Sequence, residues 1–210
     1  MKRFLVGLVV ATMAAIGFGG VSALADPSAN WQLASGSAKG SEGLAAFDFA
    51  VPDKARLLFN SKDSSFLGNL SGTPMTATFT VSGVTDGATF TYGGEGTASN
   101  PCVSPAAVRL YFESIPPGTK FAFTNYWWAD VSPASAVLAN GAYTLTATVD
   151  ATQAWSDWNG QPSSTNAQAF NAAAANATAV GLSFGGGCFF ENGVGTTDGS
   201  GTLTLTAFTS

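Results

Sequence analysis

Apolar residues alternate with polar residues along many short segments of this chain. Between Met75 and Val81, for example, every second residue is apolar and the residues between them are threonines. Successive side chains of a β-strand point to opposite faces of a sheet, so this pattern predicts strands with one buried and one solvated face. Seven further segments show the same period: 47–51, 88–92, 108–112, 121–123, 143–149, 180–184 and 203–207.

Clusters of Gly, Pro, Asn and Ser separate these segments, as at Pro116–Gly118 and Asn140–Gly141. About eight short strands punctuated in this way predict an all-β fold, an antiparallel β-sandwich of jelly-roll type over residues 46–210. The alanine-rich stretch from Asn166 to Ala175 predicts one short helix, which we expect to cover one end of the sandwich with Phe170 as its apolar anchor.

The first 25 residues resemble a secretory signal. A basic start, Lys2-Arg3, precedes an apolar run from Phe4 to Ile16, and small residues stand at Ala23 and Ala25. This order predicts a signal peptide over residues 1–25, a secreted product and no membrane insertion after cleavage. Residues 26–45 are rich in Ser, Gly and Ala and are predicted to be a flexible segment before the domain.

The charge balance argues against nucleic acid as a partner. All 13 acidic residues follow position 25, whereas only six of the eight basic residues do, which gives the secreted part a formal charge of −7. Such a surface repels phosphate backbones and anionic membranes, and the sequence contains no basic stripe to offset the repulsion.

Cys102 and Cys188 are the two cysteines of the chain. In an exported protein an isolated pair is most simply one disulfide bond. Closing a loop of this length contributes about 4–5 kcal/mol in the chain-entropy account. The alternative, a metal site built on the two thiolates, has no histidine to complete it.

The absence of histidine removes the commonest general base and the Ser-His-Asp and Cys-His nucleophile systems. Paired carboxyl groups remain as a catalytic device, with Asp130, Asp157 and Glu191 as the candidates near aromatic residues. Nothing in the sequence brings two of them together, so we expect a protein that is not an enzyme.

No cofactor is expected, although a structural calcium ion is an alternative because carboxylate and carbonyl oxygens suffice for it. Possible contributors are Asp48, Asp53, Asp63 and Asp198-Gly199. These residues form no recognisable calcium loop, so the metal ligands stay unassigned.

Tryptophan is concentrated in two places, Tyr126-Trp127-Trp128 and Trp155 to Trp158. An exposed indole can stack on the C–H face of a sugar ring while polar neighbours bind its hydroxyl groups. Adjacent residues of a strand point opposite ways, so at most one of Trp127 and Trp128 is expected to be buried. The candidate ligand-binding residues are therefore Trp127, Trp158, Asn125, Asp157, Asn159 and Gln161.

Several short motifs resemble those of laminin IV (laminin B) type domains. Residues 66–72 read FLGNLSG before a threonine-rich strand, and Trp127-Trp128, Trp155 and the segment 175–180, ANATAV, follow in the same order. The resemblance covers about residues 57–208. It implies a galactose-binding-like jelly roll used as an extracellular module, and it implies no catalytic residues.

Two functions are compatible with these features. The first is a secreted, non-catalytic binding module for carbohydrate or another cell-surface polymer. The second is an extracellular structural or adhesive protein that acts through protein–protein association, including self-association. A small glycosidase is a third, weaker alternative because no acid pair is recognisable.

Overall fold

The structure is a computed structural model, and it describes residues 31–35, 46–49, 56–92, 105–130, 132–187, 189–198 and 201–210. These residues contain thirteen strands and one α-helix. The strands are β1 (Trp31–Ser35), β2 (Ala46–Asp48), β3 (Arg56–Ser61), β4 (Pro74–Ser82), β5 (Phe90–Tyr92), β6 (Ala107–Glu113), β7 (Tyr126–Ala129), β8 (Ser135–Val137), β9 (Gly141–Thr148), β10 (Trp155–Asp157), β11 (Ala179–Gly185), β12 (Val194–Thr196) and β13 (Thr202–Thr209).

The strands form two antiparallel sheets. The larger sheet has nine strands, seven of them in the order β10-β7-β6-β11-β3-β12-β5, with β1 paired to β3 and β8 paired to β6. The smaller sheet has four strands in the order β2-β13-β4-β9. The prediction of a mostly β, antiparallel fold with one short helix is confirmed.

A single hydrophobic core joins the two sheets. Phe47 of the smaller sheet lies 5.2 Å from Phe59 and 5.5 Å from Phe184 of the larger sheet, measured between ring centroids. Alternation along β4 buries Met75, Ala77, Phe79 and Val81 and leaves the threonines between them half-buried on the other face. The two sheets therefore close over a shared interior, and threonine carries much of the solvated face of the smaller sheet.

The outer face of the larger sheet is also covered. A second, smaller cluster of buried residues lies there, formed by Leu58, Tyr111 and Trp128. Tyr111 of β6 pairs in register with Trp128 of β7 and with Gly181 of β11, which in turn pairs with Asn60 of β3. This face is thus a second packed surface and not a solvated one.

The helix α1 runs from Ala167 to Ala174, within the predicted range. Phe170 is fully buried, and its ring lies 5.0 Å from Trp127, 5.5 Å from Phe112 and 6.0 Å from Trp155. Phe170 therefore anchors the helix against the core, as expected from its being the only large apolar residue of the segment.

Two local predictions are wrong. Residues 31–35 lie in the segment predicted to be flexible, 26–45, yet they form β1, and Trp31 is fully buried against Phe59 and Phe208. The domain therefore begins before residue 46. The predicted strand at 121–123 is a loop followed by a short 3₁₀ turn, Phe123–Asn125, because its two phenylalanine rings are exposed instead of facing the core.

Several predictions fall outside the described residues. They are the signal peptide, the remainder of segment 26–45, and the disulfide between Cys102 and Cys188. In the part of the chain that the structure does describe, none of the helices combines the length and apolar character needed to cross a bilayer.

Candidate functional site

Six aromatic rings form a continuous cluster on the outer face of the larger sheet. Trp158 is central, with its ring centroid 5.1 Å from Tyr126, 5.4 Å from Trp128 and 5.5 Å from Phe121. Trp128 extends the cluster to Phe190, at 6.0 Å. We call this set the aromatic cluster: Phe121, Phe123, Tyr126, Trp128, Trp158 and Phe190.

A cavity of about 320 Å³ opens beside this cluster. Its aromatic walls come from three parts of the chain: the segment before and within β7, the turn after β10, and the connection between β11 and β12. They are Phe123, Trp128, Trp158, Phe189 and Phe190. The remaining lining consists of Asn159, Gly160, Glu191 and Asn192.

Large apolar side chains are exposed around this cavity. Among the described residues, five large hydrophobic side chains are exposed, and four of them lie here: Phe121 (54 %), Phe123 (47 %), Trp158 (41 %) and Phe189 (59 %). Contiguous exposed apolar surface with a polar rim is typical of a binding site, whereas single exposed apolar residues need no explanation. The concentration of these rings around one cavity marks it as the candidate site.

Local hydrogen bonds hold the exposed rings in place. The Asp157 Oδ1 atom accepts hydrogen bonds from the backbone N–H groups of Asn159 and Gln161, both at 2.9 Å, and this closes the turn that presents Trp158. The backbone N–H of Trp158 donates to the backbone carbonyl oxygen of Phe123 at 3.3 Å. The turn after β10 and the segment before β7 are therefore tied together under the aromatic cluster.

The loop between β11 and β12 is fixed by one amide. Asn192 Oδ1 accepts from the Gly186 N–H at 2.9 Å, and Asn192 Nδ2 donates to the Gly186 carbonyl oxygen at 3.0 Å. These two bonds close the segment that carries Phe189, Phe190 and Glu191 over the sheet.

The carboxyl group of Glu191 lies in the cavity wall with an unusual proton affinity. Burial, and the nearby carboxyl group of Glu113 after it, raise the pKa of Glu191 to about 8. Its Oε2 atom is buried and has no hydrogen-bond partner among the residues described. At neutral pH this group is therefore mostly the uncharged acid.

Trp128, which also lines the cavity, carries a second unpartnered buried polar atom. The indole N–H groups of Trp127 and Trp155 donate to the carbonyl oxygens of Thr124 and Thr148, at 3.0 and 2.9 Å. Trp128 Nε1 has no such acceptor within the described ranges, a feature it shares with Trp31 in the core. A buried polar group without a partner costs about 1–3 kcal/mol, so such groups call for a specific explanation.

The polar residues behind the cavity belong to the same sheet face. Alternation along β6 places Arg109, Tyr111 and Glu113 on that face. The guanidinium carbon of Arg109 lies 4.4 Å from the centroid of the Phe190 ring. Burial is the main reason why the pKa of Glu113 is raised and the pKa of Arg109 is lowered.

Gly181 creates the room that these side chains need. A Cβ atom at this position would collide with the Phe59 carbonyl oxygen and with Asn60 of the neighbouring strand. Across Gly181, the Asn60 amide donates a hydrogen bond to the Tyr111 hydroxyl group. The glycine therefore permits a close strand approach and a buried polar pair beneath the site.

Of the six predicted ligand-binding residues, Trp158 and Asn159 line the cavity. The prediction that Trp127 is a surface ring is wrong, because its indole is fully buried in the main core against Phe170. Trp128 is also buried, at 2 % exposure, so the expectation that at most one of the adjacent tryptophans is buried is wrong as well. The outer face that should have been solvated is covered by the aromatic cluster.

The other three predicted residues have different places. Asp157 is buried, and its side chain accepts hydrogen bonds within the turn that carries Trp158. It therefore holds Trp158 in place instead of facing a ligand. Asn125 accepts from the Ala122 N–H and donates to the Ser114 carbonyl oxygen, both at 2.7 Å. Gln161 is exposed and lies outside the cavity lining.

Sequence reasoning missed Phe189, Phe190, Asn192, Phe123 and Trp128 as lining residues. One signal was available: two adjacent phenylalanines follow three glycines and precede an acid and an amide, Glu191-Asn192. An aromatic pair in a segment without alternation has no core face to occupy, and this could have pointed to a surface role.

The three predicted catalytic carboxyl groups do not meet in the cavity. Asp157 serves its turn, and Asp130 accepts a hydrogen bond from Ser156 Oγ at 2.8 Å and interacts with the charge of Arg109. Glu191 is the one carboxylic acid among the lining residues that the structure describes.

The calcium candidates are also dispersed. Asp48 accepts from Thr202 Oγ1 at 2.6 Å, Asp63 accepts from the Ser65 N–H at 2.9 Å, and Asp198 accepts from Thr85. Asp53 and Gly199 lie outside the described residues. Within the described ranges, no three Asp, Glu, His or Cys residues come together in a way that would hold a metal ion.

Comparisons with known proteins return no relative: no family model, no curated protein and no solved structure matches this chain. The geometry and chemistry of the cavity are therefore the basis for assigning a function.

Proposed function

We propose that this domain is a secreted, non-catalytic binding module for carbohydrate or another cell-surface polymer. The observation that carries the proposal is the cavity beside Trp158, whose lining combines aromatic walls with two residues, Trp128 and Glu191, that each carry an unpartnered buried polar atom. Sugar rings need both features, because their C–H faces stack on aromatic rings while their hydroxyl groups need donors and acceptors.

The two polar atoms complement a hydroxyl group. The Trp128 indole N–H is a donor only, and Glu191 Oε2 belongs to a carboxyl group that can donate or accept. A sugar hydroxyl can accept from an indole N–H, and it can donate to or accept from a carboxyl group. A ligand hydroxyl that reached either atom would remove the cost of leaving that atom unpartnered.

The exposed rings extend the site beyond one sugar. Phe121, which lies outside the cavity lining, packs edge-on against Trp158 with ring centroids 5.5 Å apart. The ring of Phe123 lies at the same centroid distance from Phe121. A surface of adjacent rings suits a chain of repeating units better than a single small molecule. The proposed ligand is therefore a polymer.

The predicted export fits this proposal. The signal peptide over residues 1–25, the predicted disulfide and the resemblance to laminin B type extracellular modules, with their jelly-roll sandwich, all favour a role outside the cell. An acidic chain with few charges suits a neutral polymer better than a polyanion.

Tryptophan fluorescence with neutral oligosaccharides tests the proposal. Cellohexaose, mannohexaose and chitohexaose are titrated into the protein, and at least one is expected to change the emission because Trp158 is exposed in the site. Trp158→Ala should weaken this binding at least about tenfold, which corresponds to about 1.4 kcal/mol.

Val137→Ala is the matched control, since Val137 is 56 % exposed and lies outside the cavity lining. It should leave binding unchanged. If none of the oligosaccharides alters the emission, or if Trp158→Ala binds as well as the parent chain, the proposed function is wrong.

A second function, adhesion through self-association, is favoured by the large exposed area of Phe189 and Phe121. Sedimentation velocity over a range of protein concentrations distinguishes the two. Concentration-dependent assembly that Phe189→Ala abolishes would support adhesion, whereas a monomer at every concentration would exclude it as self-association.

A further inference from the structure

Building on the proposed function, we infer that the cavity selects uncharged glycans over acidic ones, because its described lining holds the carboxyl group of Glu191 and no cation that could pair with a ligand carboxylate. Glu191 lies in the lining, one of its carboxyl oxygens has no partner among the described residues, and the carboxyl group of Glu113 lies near it. Binding of an uncharged glycan should therefore depend on pH.

The geometry around Glu191 disfavours its negative charge. The side chain belongs to the cavity lining, which also contains Phe190, its neighbour in the chain, and Trp128. Its Oε2 atom is buried without a hydrogen-bond partner in the described part of the chain. An ionised carboxylate in such a place would lose its hydration and gain no donor in return.

The charged and titratable groups around it do not offset this cost. Glu113 on β6 adds a like charge, and the hydroxyl groups of Tyr111 and Tyr126, on β6 and β7, face the same region. Two cations lie near this face, and each interacts with the charge of another acid: Arg109 with Asp130, and Lys62 with Glu113.

The proton therefore remains on Glu191 at neutral pH. Its pKa is raised to about 8 by burial and by Glu113, so the group is the uncharged acid below that value and the anion above it. The pKa of Tyr126 lies at about 12, raised mainly by burial, and burial also raises the pKa of Tyr111 well above its ordinary value. Among the described residues of the cavity lining, Glu191 is the group that changes charge between neutral pH and about pH 9.5.

The two protonation states recognise different ligands. The neutral acid donates its O–H to a hydroxyl or ring oxygen of a sugar, and its carbonyl oxygen accepts a second hydrogen bond. The anion can only accept, and it brings a negative charge close to Glu113. A sugar acid would bring a further carboxylate into a lining whose described residues include no cation to pair with it, and like-charge repulsion opposes it most strongly when Glu191 is the anion.

The experiment compares matched ligands at two pH values. Cellohexaose, mannohexaose and chitohexaose, and the same three oligosaccharides oxidised at C6 to carboxylates, are titrated by calorimetry at about pH 6 and about pH 9.5, on either side of the titration of Glu191. The neutral ligand should bind at pH 6 and weaken about thirtyfold at pH 9.5, because the protonated fraction falls about tenfold per pH unit and pH 9.5 lies about 1.5 units above the pKa of Glu191. Its oxidised counterpart should bind at least about tenfold more weakly than the neutral one at both values.

Two variants separate this mechanism from a general effect of alkali. Glu191→Gln keeps an N–H donor at every pH, so its affinity for the neutral ligand should stay constant across the range. Glu113→Gln removes a like charge that raises the pKa of Glu191, so the loss of binding should begin at a lower pH than in the parent chain.

The outcomes distinguish this inference from the proposed function. Absence of binding by every oligosaccharide, neutral and oxidised, would refute the proposed function and this inference together. Binding of the neutral ligand with equal affinity at both pH values, or equal binding of the oxidised ligand, would refute the inference and leave the proposed function standing. A pH dependence that persists in Glu191→Gln would assign the effect to another group and refute the inference.

Discussion

Trp127 and Trp128 are neighbours in β7, yet both indoles are buried, because they lie on opposite faces of the larger sheet. Trp127 belongs to the main core, where its ring lies 5.0 Å from Phe170 of the helix. Trp128 belongs to the outer cluster, where Trp158 and Phe190 cover it. The strand therefore joins the interior of the domain directly to the candidate site.

Trp127→Ala should destabilise the domain by about 3–5 kcal/mol, the cost of removing a fully buried large aromatic side chain. The change also removes the hydrogen bond from its indole to the Thr124 carbonyl oxygen. Urea denaturation followed by circular dichroism measures the loss. Trp158→Ala is the control, since its ring is 41 % exposed and should cost much less. Equal losses in the two variants would contradict the placement of Trp127 in the core.

Gly181→Ala should cost more than a glycine substitution at an open position. The new Cβ would collide with the backbone of β3, so the strands must separate, and overpacking of this kind costs about 1–3 kcal/mol or more. Gly118→Ala is the comparison, because Gly118 has a φ of +81° with no atom near its would-be Cβ. Its cost is that of the left-handed backbone alone, about 1–2 kcal/mol. Thermal melting ranks the two, and a smaller loss for Gly181→Ala would contradict the close strand approach.

Glu191→Gln should change how stability depends on pH. The folded-state pKa of Glu191 is raised to about 8. The contribution of its protonated form to the free energy of unfolding is therefore fully present below the ordinary carboxyl pKa and is lost as pH rises towards 8. Over that window the parent chain should lose up to about 1.4 kcal/mol per pH unit relative to the variant. Urea denaturation at a series of pH values measures the difference. Parallel stability curves would show that Glu191 titrates normally.

Asn192→Ala should weaken binding of the neutral oligosaccharide by loosening the loop that carries Phe189 and Phe190. The change removes two hydrogen bonds to Gly186, each of which contributes about 1 kcal/mol. Asn140→Ala is closely matched, because the Asn140 amide makes the same pair of bonds, at 3.1 and 2.8 Å, to the backbone of Val84 far from the cavity lining.

Both asparagine variants should therefore lose similar stability in thermal melts, whereas only Asn192→Ala should lose affinity in fluorescence titrations. Unchanged affinity in Asn192→Ala would show that the loop keeps its place without this amide.

The sequence predicts strands wherever large apolar residues alternate with polar or small ones. β4 and β9 show strict alternation, and the structure has them at Pro74–Ser82 and Gly141–Thr148. β6 and β11 are covered on both faces but keep the alternation, so they are predicted too. β3 is missed because apolar residues stand on both of its faces, Leu58 in the outer cluster and Phe59 in the core, and this removes the period that would reveal it.

The candidate site was predicted in part for a related reason. Trp158 and Asn159 could be identified because an exposed tryptophan beside an amide is a local signal. The remaining walls come from residues 123–128 and 189–192, which are far apart in the chain and meet through the pairing of β6, β7 and β11. Without the strand order, no reading of single segments brings Phe190 and Glu191 next to Trp128.

The cavity is built from three segments of the chain, and these segments differ in how freely evolution can vary them. Its floor, Trp128, stands on a strand and is fixed by the fold, whereas Phe123, Trp158 and Phe189 stand on connections between strands. Connections tolerate replacement far better than strands do. Grafting other sequences onto these three connections would give a family of receptors with one shared base and exchangeable rims.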